Sequence, residues 1–234
     1  MFVIFPFEVE FYKKFGIEVE YLGNPTLDIV ENKLFEPFTD KMFRNENSIG
    51  SKPVIALLPG SRIQEIEKIL PEMVEVRKNF PDYEFLLAAT KSVPIELYRK
   101  IILDIDIKII IDKTYELLQI AEFAIVGSGT ATLETALFNV PQIVCYKTSY
   151  LTYIIGKSVV NIDYFSLVNI LLDKKAVAEF LQTNLTSNIS EELNKIIKNA
   201  EYREKMLENY SKLYEQLGKI GSAERTAKRI LEII

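Results

Sequence analysis

The sequence predicts an α/β fold in which a parallel, Rossmann-like sheet carries helices on both faces. Three observations carry that reading. From Pro53 onward, short uninterrupted apolar runs alternate with longer stretches of helical periodicity, the pattern of strands buried on both faces and joined by crossover helices. Two strand-to-helix junctions, LLPGSR and VGSGTAT, are rich in small residues, as ligand-facing loops of doubly wound sheets are. The 234 residues, 48% hydrophobic and 26% charged, suffice for a buried core and are unlike a disordered chain.

In chain order, FVIF reads as a short strand, followed by a loop and an aromatic-rich helix, then a second strand in IEVEYLG ending in a turn. Two strands do not make a stable unit, so residues 1–24 are expected to be the remnant of a further, N-terminal domain. Residues 25–52 are polar, and FRNENSIGSKP has the composition of a linker or surface loop. The ligand-binding domain is expected over 53–186. It begins with strand VIALL and a helix from Arg62 to about Phe80. Strand YEFLLAA, a helix from Pro94, strand IKIIID and a helix from Thr114 follow, then strand FAIV, a helix from Thr130 and strand QIVCY. Residues 187–234 are helical by pattern, charged on one face through EELNKIIKNAEYREKMLENYSKLYEQLGKI and amphipathic in SAERTAKRILEII.

Net charge is −5, the sequence pI is near 5.1, and no basic run dominates any segment. A nucleic-acid partner is therefore not expected. Cys145 is the single cysteine and histidine is absent. That excludes a disulfide, a zinc cluster and any histidine base within these residues, and it fits a reducing cytoplasm. The most membrane-like stretch, YKTSYLTYIIGKSVVNIDYFSLVNILL, is interrupted by Lys147, Gly156, Lys157, Asn161 and Asp163. It falls short of the roughly 18 apolar residues of a spanning helix and reads as a buried helix. The first residues lack the basic region and small-residue cleavage site of a secretory signal.

The chemistry concentrates at two junctions. In ALLPGSRIQEIEKIL, Pro59 and Gly60 turn the chain, Ser61 stands where it can cap the next helix with Gln64 at the capping-box position, and Arg62 lies in the first turn. A cation there opposes the positive helix end. An anion shared between backbone N–H groups and the guanidinium would resolve the conflict, although a capped helix with a solvated arginine accounts for the same residues. In AIVGSGTATLETALFNVP, Gly127 and Gly129 permit torsions or close approach that side chains forbid, while Ser128, Thr130 and Thr132 supply hydroxyls at the helix mouth. The pattern is a phosphate cradle, and it matches neither the Walker loop nor the dinucleotide fingerprint. Glu134, read as lying in the first turn, could simply compensate the dipole. Beside a diphosphate it could also accept hydrogen bonds from ribose hydroxyls. Cys145 reads as inert core, and Asp104 and Asp106 as solvent-facing turn residues. Asn169 reads as either a helix cap or a satisfied core amide.

PFEVEFYKKFGIEVEYLGNP, LLPGSR, GSGTATLETAL, YKTSYLTYIIGKSVV and DYFSLVNILL, in that order, resemble the later part of bacterial lipid-A-disaccharide synthases, from the first residue to about Gln182. The resemblance implies the C-terminal half of a two-domain GT-B fold, with helices packing back towards an N-terminal domain. It also implies an inverting, metal-independent transfer of 2,3-diacylglucosamine from UDP-2,3-diacylglucosamine to 2,3-diacylglucosamine 1-phosphate (lipid X). The product is the β-1,6 disaccharide of lipid A, made at the inner-membrane surface without a cofactor. By motif position, Gly60, Ser61 and Arg62 would face the UDP diphosphate, Ser128, Gly129 and Thr130 would cradle it, Glu134 would hold the ribose, and Asn169 would stand near the donor sugar. The catalytic base would lie in the N-terminal domain, and this segment alone is expected to be inactive; a separate N-terminal domain or a homodimer is the expected protein partner. Where the family commonly has a histidine, this sequence has Asn24. Other UDP-sugar enzymes of GT-B type, an N-acetylglucosamine epimerase or a cell-wall glucosaminyltransferase, and a non-catalytic nucleotide-binding module are the competing readings.

Overall fold

A computed structural model describes residues 1–103, 105–147 and 163–233. Its centre is a six-stranded parallel sheet of β3 (Val54–Leu58), β4 (Glu84–Ala89), β5 (Lys108–Ile111), β6 (Ala121–Gly127), β7 (Gln142–Tyr146) and β8 (Ala178–Leu181), in the order β5-β4-β3-β6-β7-β8. Counted from β3 this is the 3-2-1-4-5-6 order of doubly wound sheets, with its topological switch point between β3 and β6. β8 is a sixth strand that the sequence did not reveal. Its four residues, AEFL, form an edge strand that among the described residues pairs only to β7, too short and too polar to show a strand period.

The four inner strands β3, β4, β6 and β7 are buried on both faces along their apolar runs, as such runs require. Ile55, Leu57, Phe85, Leu87, Phe123 and Ile125 face one core, while Val54, Ala56, Leu58, Leu86, Ala124 and Val126 face the other. The first core is covered by α4 (Ile63–Val76), α5 (Ile95–Ile101), α7 (Thr130–Leu137), α8 (Leu167–Leu172), α9 (Leu185–Lys198) and α10 (Ala200–Leu217). The second is covered by α6 (Thr114–Ile120) together with Phe43. Cys145 is buried and free, and burial pushes its thiol pKa well up, consistent with an inert core residue.

At the N-terminus, β1 (Phe2–Val3), α1 (Phe7–Lys13) and β2 (Glu20–Tyr21) form a parallel two-stranded βαβ unit. The expectation of a linker or surface loop over 25–52 is corrected by two helices, α2 (Pro25–Phe35) and α3 (Asp40–Glu46). Scattered apolar residues hide these helices in the sequence. Leu27 and Val30 bury completely in the first core, and Phe43 anchors α3 in the second. Asn24 starts α2 as its N-cap, its Oδ1 accepting from Leu27 N at 3.1 Å and its Nδ2 donating to Ile4 O at 2.8 Å, with Pro25 at the first helical position.

The final helix, α11 (Ser222–Ile233), docks on the N-terminal segment. Asp28 accepts from the backbone N–H groups of Gly221 and Ser222 at 2.7 and 2.8 Å, and Arg229 makes a two-pronged ion pair with Glu20. The stretch read as a buried helix lies outside the described residues over 148–162, as does Asp104. None of the described helices is long and apolar enough to cross a membrane.

Candidate functional site: a cleft at the switch point of the sheet

A cleft of about 410 Å³ opens beyond the C-terminal ends of β3 and β6, where doubly wound sheets bind their ligands. The two glycine-bearing junctions form its opposite walls. Gly60 has a φ of +94°, a conformation that strains other residues, and it turns the chain from β3 towards α4. Across the cleft Gly127 has no room for a side chain. A Cβ there would stand 3.0 Å from Pro59 O and 3.2 Å from Pro59 C, so the close approach of the two loops depends on glycine. Gly129, at φ +144° with nothing near its Cβ position, leaves the mouth of α7 open.

Both α4 and α7 begin at this cleft, and neither has a side chain capping its first turn. Two positive helix ends therefore converge on one space, an arrangement suited to an anion. The expected Ser61 cap does not form. The N-cap of α4 is Arg62, one residue later than the sequence pattern placed it, and Ser61 is exposed on the cleft wall. Ser128 lines the cleft, but its hydroxyl donates to Phe165 O at 2.9 Å, so it presents oxygen lone pairs and backbone to the space. Thr130 is the first residue of α7 and exposed there. Thr132 is not part of the cradle. It is fully buried, its Oγ1 donating to Gly129 O and accepting from Leu167 N, and it braces the loop from behind.

Three ionisable residues line the cleft among the described ones: Arg62, Glu65 and Glu134. The Arg62 guanidinium donates to Glu65 Oε1 at 3.0 Å, a partner that the sequence reading missed although it lies three residues on along the same helix. Glu134 is the fifth residue of α7, beyond the first turn in which the sequence reading put it, so dipole compensation does not explain it. It is half-buried, and burial pushes its carboxyl pKa up, only partly offset by a hydrogen bond from Tyr115 Oη at 3.0 Å. A second cleft of about 420 Å³ adjoins the first, sharing Ala89, Thr90, Thr114 and Glu134 and extending to Tyr115 and Lys33. Thr90 and Thr114 follow β4 and β5, strands whose C-terminal loops showed no motif in sequence.

Asn169 is corrected by the structure. It is fully buried in α8. Its Oδ1 accepts from Ala176 N and Val177 N at 2.7 and 2.9 Å, and its Nδ2 donates to Val177 O at 3.0 Å. It is the satisfied core amide of the two readings the sequence left open, and it does not line the cleft. Ser166, not Asn169, caps α8. Among the described residues no group of three or more His, Cys, Asp or Glu is arranged to hold a metal ion.

Strand order and switch-point cleft define a doubly wound α/β fold, and its likeness is to GT-B glycosyltransferase folds. The UDP-GlcNAc 2-epimerase of Neisseria meningitidis bound to UDP-GlcNAc superposes on 99% of this chain and 61% of its own, with a TM-score of 0.66 at 16% identity. The S. aureus MnaA–UDP structure covers 100% of this chain and 60% of its own, at 0.64 and 15%. At such identities the likeness concerns the fold. The chain belongs to the lipid-A-disaccharide synthetase family, whose sequence model matches residues 1–233. It is 32% identical over 241 residues to the lipid-A-disaccharide synthase of Geobacter sulfurreducens and 35% identical over 242 residues to that of Syntrophus aciditrophicus. All of this chain is covered in both cases, and it spans 62% of the length of these curated relatives.

Proposed function

We propose that this chain is the donor-binding half of a lipid-A-disaccharide synthase, an inverting, metal-independent hexosyltransferase that needs no cofactor. UDP-2,3-diacylglucosamine is the donor and lipid X the acceptor. The observation that carries this reading is the convergence of two uncapped helix ends, Arg62 and Glu134 on one switch-point cleft in a chain of this family. The diphosphate lies between the starts of α4 and α7, against Gly60, Ser61, Ser128, Gly129 and Thr130, and Glu134 takes the ribose.

In the transfer, the acceptor 6-hydroxyl attacks C1 of the donor sugar while the bond from C1 to the UDP oxygen breaks, and the hydroxyl proton passes to a base. These residues serve the departing UDP: N–H groups aimed at its diphosphate oxygens stabilise charge as it develops. The base and the acceptor groove are supplied from an N-terminal domain, at the inner-membrane surface on the cytoplasmic side. The epimerase and cell-wall transferase readings have the fold alone in their favour.

Calorimetric titration of the chain with UDP, ADP and uridine tests the proposal. Binding of UDP in clear preference to both competitors is expected. Equal binding of UDP and uridine would remove the phosphate cradle, and no binding of UDP to folded protein would remove the donor site.

A further inference from the structure

Glu134 is the carboxylate shared by the two adjoining clefts, and its side chain is held from one direction. Tyr115 Oη donates to Glu134 Oε1 at 3.0 Å. The Tyr115 ring lies against Phe138, 5.3 Å between centroids, and Phe138 stands one turn beyond Glu134 on the same helical face. The tyrosine therefore braces α7 at two points, ring on Phe138 and hydroxyl on Glu134, which sets where the carboxylate points. The remaining charges around the clefts among the described residues are already committed. Lys33 pairs with Glu116 at 2.9 Å and with Glu36 at 2.7 Å, Lys91 pairs with Asp112 at 3.0 Å, and Arg62 pairs with Glu65. Among the described residues, the hydrogen bond that the Glu134 carboxylate accepts comes from Tyr115 alone.

A carboxylate has about four acceptor sites, so one bond from Tyr115 holds Oε1 and leaves Oε2 and a lone pair of Oε1 for a ligand. A vicinal diol, with two donors on neighbouring carbons, matches that remainder. We infer that Tyr115 is a positioning residue that presents Glu134 to the 2′,3′-diol of a bound ribonucleotide, so that discrimination between ribo- and 2′-deoxyribonucleotides depends on the Tyr115 hydroxyl. This rests on the reading that the cleft binds UDP.

Tyr115→Phe keeps the ring on Phe138 and removes only the hydroxyl. Calorimetric titration of parent and variant with UDP and 2′-deoxy-UDP should show the parent preferring UDP. In the variant that preference should shrink by about fivefold, the worth of one hydrogen bond, with 2′-deoxy-UDP affinity little changed. A parallel reading needs no ligand: the Glu134 side-chain carboxyl, followed by carbon-13 NMR in the free protein, should titrate at higher pH in Tyr115→Phe, because a bond favouring the charged form is gone. An unchanged UDP to 2′-deoxy-UDP ratio, or an unmoved Glu134 titration, overturns the inference. Failure of the parent to bind UDP refutes the donor-site reading, and with it the role at the diol, while the NMR titration still reports whether Tyr115 holds the carboxylate.

Discussion

Replacing Asn169 with alanine separates a structural amide from a substrate contact. The side chain is fully buried, and its three hydrogen bonds join α8 to the 176–177 turn that leads into β8. Truncation strands the Val177 N–H and carbonyl in a place where the turn is packed, while Ala176 N keeps its bond to Lys174 O at 2.9 Å. Each unsatisfied group costs about 1–3 kcal/mol, and because the turn can relax we expect a total of about 2–4 kcal/mol rather than the full sum. Against a whole-protein stability of about 5–15 kcal/mol, that loss is large. At about 2–4 °C per kcal/mol for a chain of this size, the thermal midpoint should fall by about 10 °C. Urea unfolding followed by circular dichroism measures the loss, and UDP titration at low temperature, where the variant stays folded, should show near-parent affinity. A variant within about 1 kcal/mol of the parent would refute the reasoning, and would return Asn169 to the role near the donor sugar that the family resemblance implied.

Other consequences are as direct. Arg62→Ala removes the cation of the cleft and leaves Glu65 facing the ligand. Calorimetry should show UDP weakened by about fivefold, the modest figure suited to an exposed side chain, with uridine unaffected; equal losses for both would mean that Arg62 does not touch the diphosphate. Gly127→Ala places a Cβ 3.0 Å from Pro59 O, a backbone atom, and overpacking of this kind costs about 1–3 kcal/mol. Both thermal stability and UDP affinity should drop, and a variant equal to the parent in both would show that the loops part freely. Asp28 holds the start of α11. Burial raises its pKa, but the Ser222 hydroxyl and the N–H groups of Gly221, Ala223 and Ser222 outweigh it and hold the carboxyl below its ordinary value. Its contribution is therefore complete above the unfolded pKa of about 3.9 and is lost as pH falls through the lower folded pKa. Hydrogen exchange over 222–233, corrected for intrinsic rate, should stay slow above about pH 4 and accelerate below it, and Asp28→Asn should accelerate it at neutral pH. Exchange that ignores both changes would mean that α11 is held by other contacts.

The legible parts of this protein were those written in contiguous residues. Five of the six strands of the main sheet contain an unbroken apolar run, because a strand is apolar where it is covered on both faces, and the glycines beside Pro59 and Ser128 mark where loops turn or touch. The less legible parts depended on partners distant in sequence. Helices α2 and α3 looked like linker because Leu27, Val30 and Phe43 are few, and only the sheet they cover explains them. Ser61 matched a capping pattern, yet the turn at Gly60 carried the helix start one residue further, to Arg62.

The sequence by itself determined the parallel α/β class, the two small-residue loops that meet at the switch-point cleft, and the family, because local periodicity and motif order survive without coordinates. Only the tertiary structure decided which polar residues face that cleft. Thr132 and Asn169 turned inward to satisfy buried backbone, while Tyr115, nineteen residues away from Glu134, reached its carboxylate. Hydrogen-bond satisfaction is a property of neighbours in space, and a buried polar side chain takes whichever partner the packing brings within reach.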